Sequence, residues 1–344
     1  MAKWLVTGGA GFIGCNVARR LMQLSHEVVV VDDLSRRGTQ ENLDWLRAQG
    51  KLSFVKQDIR DADGIRAAVA AHDDADVVLH LAGQVAVTTS VTDPRSDFEI
   101  NALGTFNVLE AVRASRGRPI VLYASTNKVY GNMEHEGVAL RGKRYGYKRL
   151  KRGVSEATPL DFHSPYGCSK GAADQYVRDY SRIYGLRTVV FRQSCIYGTR
   201  QFGIEDQGWV AWFTIAAVLG RKLTIFGNGR QVRDVLFVDD LAECYLKAVE
   251  RIGRAAGEIY NVGGGPDNQL SLLELLDLLS RKTGRKIKPA FADWRPGDQK
   301  VFVSDVTKAK KELGWTPKVS TAAGVDHLID WVTVERPMLE RVLA

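Results

Sequence analysis

The chain predicts an α/β fold, a doubly wound parallel sheet followed by a smaller C-terminal α/β region. Three observations predict it. A glycine-rich turn, Gly8-Gly9-Ala10-Gly11-Phe12-Ile13-Gly14, stands between a short apolar run and a helical pattern. Apolar runs then alternate with helical patterns as far as Arg192. One of these runs, Glu27–Val31, is almost wholly apolar, as a strand buried on both faces requires.

Taken in order, Lys3–Thr7 reads as the first strand, and a helix follows the glycine turn to about Leu24. Strand, glycine turn and helix together are the dinucleotide-binding arrangement of a Rossmann sheet. Gly8 permits the tight turn, Gly11 lets the backbone approach a pyrophosphate, and Gly14 lets the helix pack on the strand. The helix N-terminus, with Phe12 and Ile13, then presents amides to the phosphates. The second strand ends in Asp32-Asp33, about twenty residues beyond the glycines. A carboxylate there accepts hydrogen bonds from the ribose of NAD and repels the extra phosphate of NADP. Arg36 and Arg37 are residues that would receive that phosphate, but Asp32 sits at the strand end itself, so NAD is the expected coenzyme.

Leu52–Lys56 reads as a strand leading to Asp58-Ile59, where the adenine is expected. Ile65–Ala71 reads as helix. Val77–Leu81 reads as a strand ending in Ala82-Gly83-Gln84, small residues that leave room for a ligand. Phe98–Ala114 reads as a long amphipathic helix carrying Asn101. Pro119–Tyr123 is the next strand, with Ser125-Thr126-Asn127-Lys128 at its tip. The Tyr166–Tyr184 helix and the Arg187–Arg192 strand follow. From about Ser194 strands shorten and glycines cluster. The expected division is residues 1–193 for the coenzyme and 194–344 mainly for substrate, with segments returning to the first part.

Composition narrows the function. No apolar run reaches the length of a membrane span, and Met1–Lys3 leads straight into a strand, so neither a membrane segment nor a signal peptide is expected. The four cysteines show no CxxC pair, consistent with reduced thiols in the cytoplasm, and the six histidines show no metal spacing. The formal charge is +8, but Arg141, Lys143, Arg144, Lys148, Arg149, Lys151 and Arg152 supply seven positive charges in one stretch. A solvated insertion loop is expected there, not a nucleic-acid-binding face.

Tyr166 and Lys170 lie four positions apart, on one face of a helix. A lysine cation beside a phenol favours the phenolate, which suits a general base that takes a proton from an alcohol. Ser125-Thr126 follows an apolar strand upstream of this pair.

These motifs form a set. Thr7-Gly8-x-x-Gly11-x-x-Gly14, Leu81-Ala82-Gly83, Asn101, Ser125-Thr126 with Tyr130-Gly131, Tyr166-x-x-x-Lys170 and Tyr197-Gly198-x-Arg200-Gln201 together resemble the extended short-chain dehydrogenases, the NAD-dependent nucleotide-sugar epimerases and dehydratases. Longer stretches, among them Leu81–Ser90, Ser125–Gly131, Asp161–Tyr176, Asp206-Gln207-Gly208-Trp209-Val210 and Gly227–Asp234, look like the CDP-paratose 2-epimerase family. The resemblance implies a retained NAD, a CDP-linked sugar as substrate, and inversion at C2 through a transient ketone. It implies Thr126, Tyr166 and Lys170 as catalytic residues. It places Gly8, Gly11, Phe12, Ile13, Gly14, Asp32, Ser35, Arg36, Asp58, Ile59, Leu81, Ala82, Gly83, Gln84, Asn101, Tyr166, Lys170 and Gln193 at the coenzyme. It places Gln84, Ser90, Thr126, Asn127, Arg200, Gln201, Gln207, Arg233 and Arg295 at the substrate. No metal is implied. A homodimer is expected through the Phe98–Ala114 and Tyr166–Tyr184 helices, with a tetramer open.

Two departures from the wider pattern stand out. Cys195-Ile196-Tyr197-Gly198-Thr199 replaces the usual Asn-x-Tyr-Gly-Pro, and the basic segment differs from the tyvelose enzyme. Asn127-Lys128 follows the threonine where the 4,6-dehydratases carry an Asp-Glu pair, so elimination of water is not expected. A UDP-sugar 4-epimerase or another CDP- or GDP-hexose epimerase remains the alternative.

Overall fold

A computed structural model of the chain describes residues 1–205, 207–295 and 298–343. Seven strands form the central sheet. Their order is Ile259–Val262, Thr188–Gln193, Ile120–Thr126, Val77–His80, Lys3–Thr7, Glu27–Asp32 and Ser53–Lys56. Every neighbouring pair in it runs parallel. The strand order reverses direction between Lys3–Thr7 and Val77–His80, which opens a crevice at the carboxyl ends of those two strands. The glycine turn, Asp32 and Leu81-Ala82-Gly83 therefore converge on one edge.

Alternation along each strand builds two cores. Trp4, Val6, Val28, Val30, Leu79 and Leu122 face one side of the sheet, and Leu5, Val29, Val31, Val78, Val121 and Tyr123 face the other. The first side is covered by the helices Phe12–Gln23, Thr39–Gln49 and Val238–Glu250, and the second by Ala62–Ala70, Gly104–Ala114 and Ser164–Tyr184. A third apolar cluster gathers Tyr197, Val210, Phe213, Ile225, Val235, Leu275, Leu328 and Val332 around the Trp209–Leu219 helix. The Ile259–Val262 strand and the Val238–Glu250 helix leave that cluster and pack against the central sheet.

Two expectations need correction, and one helix was not foreseen. The helix expected at Phe98–Ala114 begins instead with Pro94–Phe98, whose N-cap Asp93 accepts a hydrogen bond from Ser96 N, and passes through a π-turn at Glu99–Leu103 before Gly104–Ala114. Asn101 sits in that π-turn, and such widened turns are frequent at functional sites. The helix Thr39–Gln49 carries too few apolar residues to announce itself, since it buries only Thr39, Asn42, Leu43 and Leu46.

The basic segment is not a solvated loop. Val138–Arg141 and Arg144–Tyr147 pair as an antiparallel hairpin. Tyr145 and Tyr147 pack on Val232, Val301 and Val303, and the Tyr147 hydroxyl donates to the Val301 carbonyl at 2.8 Å. Arg144 pairs with Glu274 at 2.7 Å, Lys143 with Asp277, and Arg152 with Asp305 at 3.5 Å. The charge run is thus partly answered by acids from distant parts of the chain, a pairing that composition alone does not reveal.

Candidate active site

The Ile120–Thr126 strand ends beside the Ser164–Tyr184 helix, and this junction builds the site. A buried ion pair fixes it. Arg192 Nε and Nη2 donate to both oxygens of Asp174 at 2.9 and 3.0 Å, and the Ser125 hydroxyl donates to Asp174 at 2.7 Å. Arg192 also donates to the Tyr130 hydroxyl, which in turn donates to Asn261. Asp174 is wholly buried and Arg192 nearly so, a setting in which removing one partner costs about 3–5 kcal/mol. Strand and helix are therefore locked together one residue from Thr126 and one helical turn from Lys170.

Thr126, Tyr166 and Lys170 are all buried at this junction. The Thr126 hydroxyl and the Tyr166 phenol share a hydrogen bond. Lys170 Nζ donates to the Ala124 carbonyl at 2.6 Å and lies 4.4 Å from the centroid of the Tyr123 ring. The expectation that the lysine lowers the phenol's pKa is not met in the protein by itself. Burial pushes Tyr166 up to about 12, Asp97 nearby raises it further, and the Thr126 hydrogen bond and Arg36 only partly offset this. The lysine is itself pulled down to about 7 by burial, against the raising effect of Asp174 and Asp97. The phenol is protonated at neutral pH until further positive charge reaches it.

The crevice beside these residues has the features a dinucleotide needs. Gly8 has φ +67°, and a Cβ there would stand 2.6 Å from Ala82 N. A Cβ on Gly14 would stand 2.2 Å from the Gly8 carbonyl oxygen. The Phe12–Gln23 helix has Gly11 as its N-cap and no acidic side chain in its first turn, so its positive end is unopposed. Asp32 is buried and accepts from Ala10 N at 3.0 Å and Leu34 N at 2.9 Å, which leaves lone pairs for a ribose. The Oδ1 of Asn101 is buried without a partner and faces Gly83 near Lys170. These features fit NAD.

The other residues expected at the coenzyme are placed as follows. Leu81, Ala82 and Gly83 line the crevice after the Val77–His80 strand. Ser35 is exposed and donates to Asp33. Arg36 reaches across to donate to Gln207. Asp58 is held by Arg60 through both carboxylate oxygens, and Ile59 packs under Gly104. Gln193 donates to the Tyr245 hydroxyl at 2.5 Å.

A cavity of about 310 Å³ opens on the far side of Thr126 and Tyr166. Thr126, Asn127, Gln207, Arg233 and Arg295 line it, as does Lys128. Arg233 donates to the carbonyls of Val232 and Gln299 and approaches Asp298 at 3.9 Å. Arg295 stacks on Phe226 at 3.7 Å and donates to the Glu205 carbonyl. Trp209, Phe213, Phe226 and Leu272 form an apolar wall, and Trp209 Nε1 donates to the Cys195 sulfur at 3.1 Å.

Four expected substrate residues do not line this cavity. Gln84 spends its amide on Asp97 and the Ala86 carbonyl, both at 2.8 Å, and so shapes the turn behind the wall. Ser90 is fully buried and donates to the Val87 carbonyl. Arg200 is buried against Trp45, with Nε on Asn42 at 3.0 Å and Nη2 on the Glu41 carbonyl at 2.9 Å. Gln201 is buried beside Gly208 and is not itself part of the lining. Asp206, of the Asp206–Val210 stretch read above, lies outside the described residues, as do Pro296 and Gly297 next to Arg295.

Sequence reasoning gave no role to Asp97, Ser169, Asp174 or Arg192. Ser169 donates to Asp97, and Asn101 Nδ2 reaches both. These are ordinary helix or strand residues in the sequence, and only the packing joins them. Trp209 stood in a recognised stretch without an assigned role.

Residues 4–263 match the model of the NAD dependent epimerase/dehydratase family. The chain belongs to that family. NAD is accordingly its coenzyme, and it is an enzyme of the epimerase type. It is 45% identical over 336 residues to the CDP-paratose 2-epimerase of Salmonella typhi, covering 96% of this chain and 99% of the relative. Among solved structures it resembles the UDP-glucose 4-epimerase of Thermotoga maritima with UDP-glucose, with a TM-score of 0.84, 32% identity, and 97% and 99% coverage. It also resembles the Thermus thermophilus UDP-glucose 4-epimerase in complex with NAD, with a TM-score of 0.79, 31% identity, and 96% and 99% coverage. Among the described residues no helix is long and apolar enough to cross a membrane, and no group of three His, Cys, Asp or Glu is placed to hold a metal.

Proposed function

We propose that the protein inverts C2 of a CDP-linked hexose or deoxyhexose of the paratose/tyvelose type. The 45% identity to a CDP-paratose 2-epimerase along nearly the whole of both chains carries this reading. A carbinol carbon inverts only if it is first flattened, and oxidation to a ketone flattens it. Bound NAD would accept the hydride and return it within one turnover, and its positive ring would supply the charge that Tyr166 lacks.

Tyr166, as phenolate, takes the proton of the C2 hydroxyl, and Thr126 holds that oxygen by a hydrogen bond. Lys170, tied to Ala124, would hold the nicotinamide ribose of bound NAD. The cavity beyond gives the 2-keto sugar room to turn over. Tyr166 returns its proton when the hydride comes back to the other face, so no net oxidation remains. Arg233 and Arg295 are assigned to the diphosphate, which guanidinium groups match by paired hydrogen bonds. Residues 1–193 serve the coenzyme, and those from Ser194 mainly serve the sugar nucleotide. A cytoplasmic enzyme, with its four thiols free, fits this chemistry.

The test offers CDP-, UDP-, GDP- and dTDP-linked hexoses and 6-deoxyhexoses in turn, without added NAD, and reads the inverted carbon by NMR. Inversion of a CDP-sugar at C2 is the expected result. Inversion of a UDP-hexose at C4 would replace this reading by the 4-epimerase one.

We also propose that two copies pair through the outer face of the Gly104–Ala114 and Ser164–Tyr184 helices. Phe98, Phe106, Tyr176, Ile183 and Tyr184 are all exposed there, an apolar face large enough to need cover. Light scattering should give a dimer for the wild type and a monomer for the double variant Phe106→Glu, Tyr176→Glu. A wild-type monomer at micromolar concentration would refute the pairing.

A further inference from the structure

The distinction between inversion at C2 and at C4 is geometric. Both carbons carry a similar secondary alcohol, and the same base and coenzyme would oxidise either. They differ in their distance from the diphosphate, which is attached at C1. C2 is bonded to C1, whereas C4 lies across the ring from it. Presenting C2 to Tyr166 therefore brings the sugar-side phosphate close to Tyr166 and Thr126. Presenting C4 carries that phosphate a ring's width away.

Lys128 lines the same cavity as Tyr166 and Thr126. It follows Thr126 by two residues in the 3₁₀ turn Asn127–Tyr130, and its own N–H donates to the Thr126 hydroxyl at 3.2 Å. The turn is rigidly placed, since Val129 and Tyr130 are fully buried. Its side chain lines the same cavity as Tyr166, Arg233 and Arg295. Burial and the neighbouring Arg233 pull the lysine's pKa down to about 8, while Asp298 raises it. Among the described residues the lining carries the cations Lys128, Arg233 and Arg295 and the acids Glu205 and Asp298.

We propose that Lys128 determines which carbon is inverted, by holding the sugar-side phosphate next to Thr126 so that C2, and not C4, faces Tyr166. This rests on the C2 reading above. Arg233, which neighbours Lys128, and Arg295, on the same lining, take the phosphate nearer the nucleoside. The Asn127-Lys128 pair, informative in sequence only as the absence of a dehydratase's acids, thereby acquires a positive role.

The test compares wild type with Lys128→Met and Lys128→Arg, each checked for bound NAD and thermal midpoint. Binding of CDP and of CMP is measured beside turnover of a CDP-hexose. CDP carries the second phosphate and CMP does not. Lys128→Met should weaken CDP by about 10–100-fold, the value of a charge-assisted contact, and leave CMP within about threefold. It should lower C2 inversion by about 100-fold or more, and Lys128→Arg should recover most of the loss. Should Lys128→Met fail to fold, the arginine variant still decides. It is expected to keep the wild-type preference for CDP over CMP and inversion at C2.

Lys128→Met that inverts C2 and binds CDP within about threefold of wild type would overturn the proposal while the C2 reading stands. So would an arginine variant that folds, retains NAD and has lost the preference for CDP. Wild type inverting C4 overturns the C2 reading itself, and needs no variant to show it.

Discussion

Tyr166→Phe should lower turnover by about 10²–10⁴-fold, the span that a positioned general base contributes, while bound NAD and folding are retained. The substitution removes one oxygen and keeps the ring, so the wall of the cavity is unchanged. The loss is confined to the hydrogen bond with Thr126, worth about 1 kcal/mol to stability. Coenzyme content by absorbance and unfolding by circular dichroism check the controls, and NMR of the sugar checks turnover. Near-wild-type turnover would remove Tyr166 from the role of base.

The electrostatics make the same residue conditional. Burial holds the phenol near 12 in the protein alone, because Lys170 is turned to the Ala124 carbonyl and the Tyr123 ring. Asp97, behind the helix, opposes ionisation further. On the proposed reading, the positive ring of bound NAD would supply the charge that favours the phenolate.

The parallel sheet was legible because buried strands must be apolar and the glycine turn must be glycine. Gly8 and Gly14 stand where a Cβ would strike Ala82 and the Gly8 carbonyl, a constraint visible in the letters themselves. The Thr126, Tyr166 and Lys170 cluster was legible because each closes a short motif. The π-turn at Asn101 was hidden, since its residues also suit a regular helix. The buried Asp174–Arg192 pair was hidden for another reason. Its members stand on a helix and a strand 18 positions apart, and neither location calls for a charge. Arg200 shows the converse error. A motif position suggested a ligand, but the side chain turns to Asn42 and Trp45 and serves to join two parts of the fold. Charge composition misled at residues 141–152, because the acids that answer it lie more than a hundred residues away.

Transient oxidation makes a claim about one hydrogen atom. If the hydrogen on C2 leaves as hydride and returns as hydride, it never meets water, and the cavity keeps it on the coenzyme while the sugar turns. If the carbon were instead inverted by removing a proton, the phenol would exchange that proton with solvent. The most direct measurement is turnover of a CDP-hexose carrying deuterium at C2, in ordinary water with no added NAD, followed by NMR of the inverted product. Deuterium retained at C2 of the inverted sugar is the result this account predicts. Inverted product with hydrogen at C2 and deuterium lost to water would contradict it.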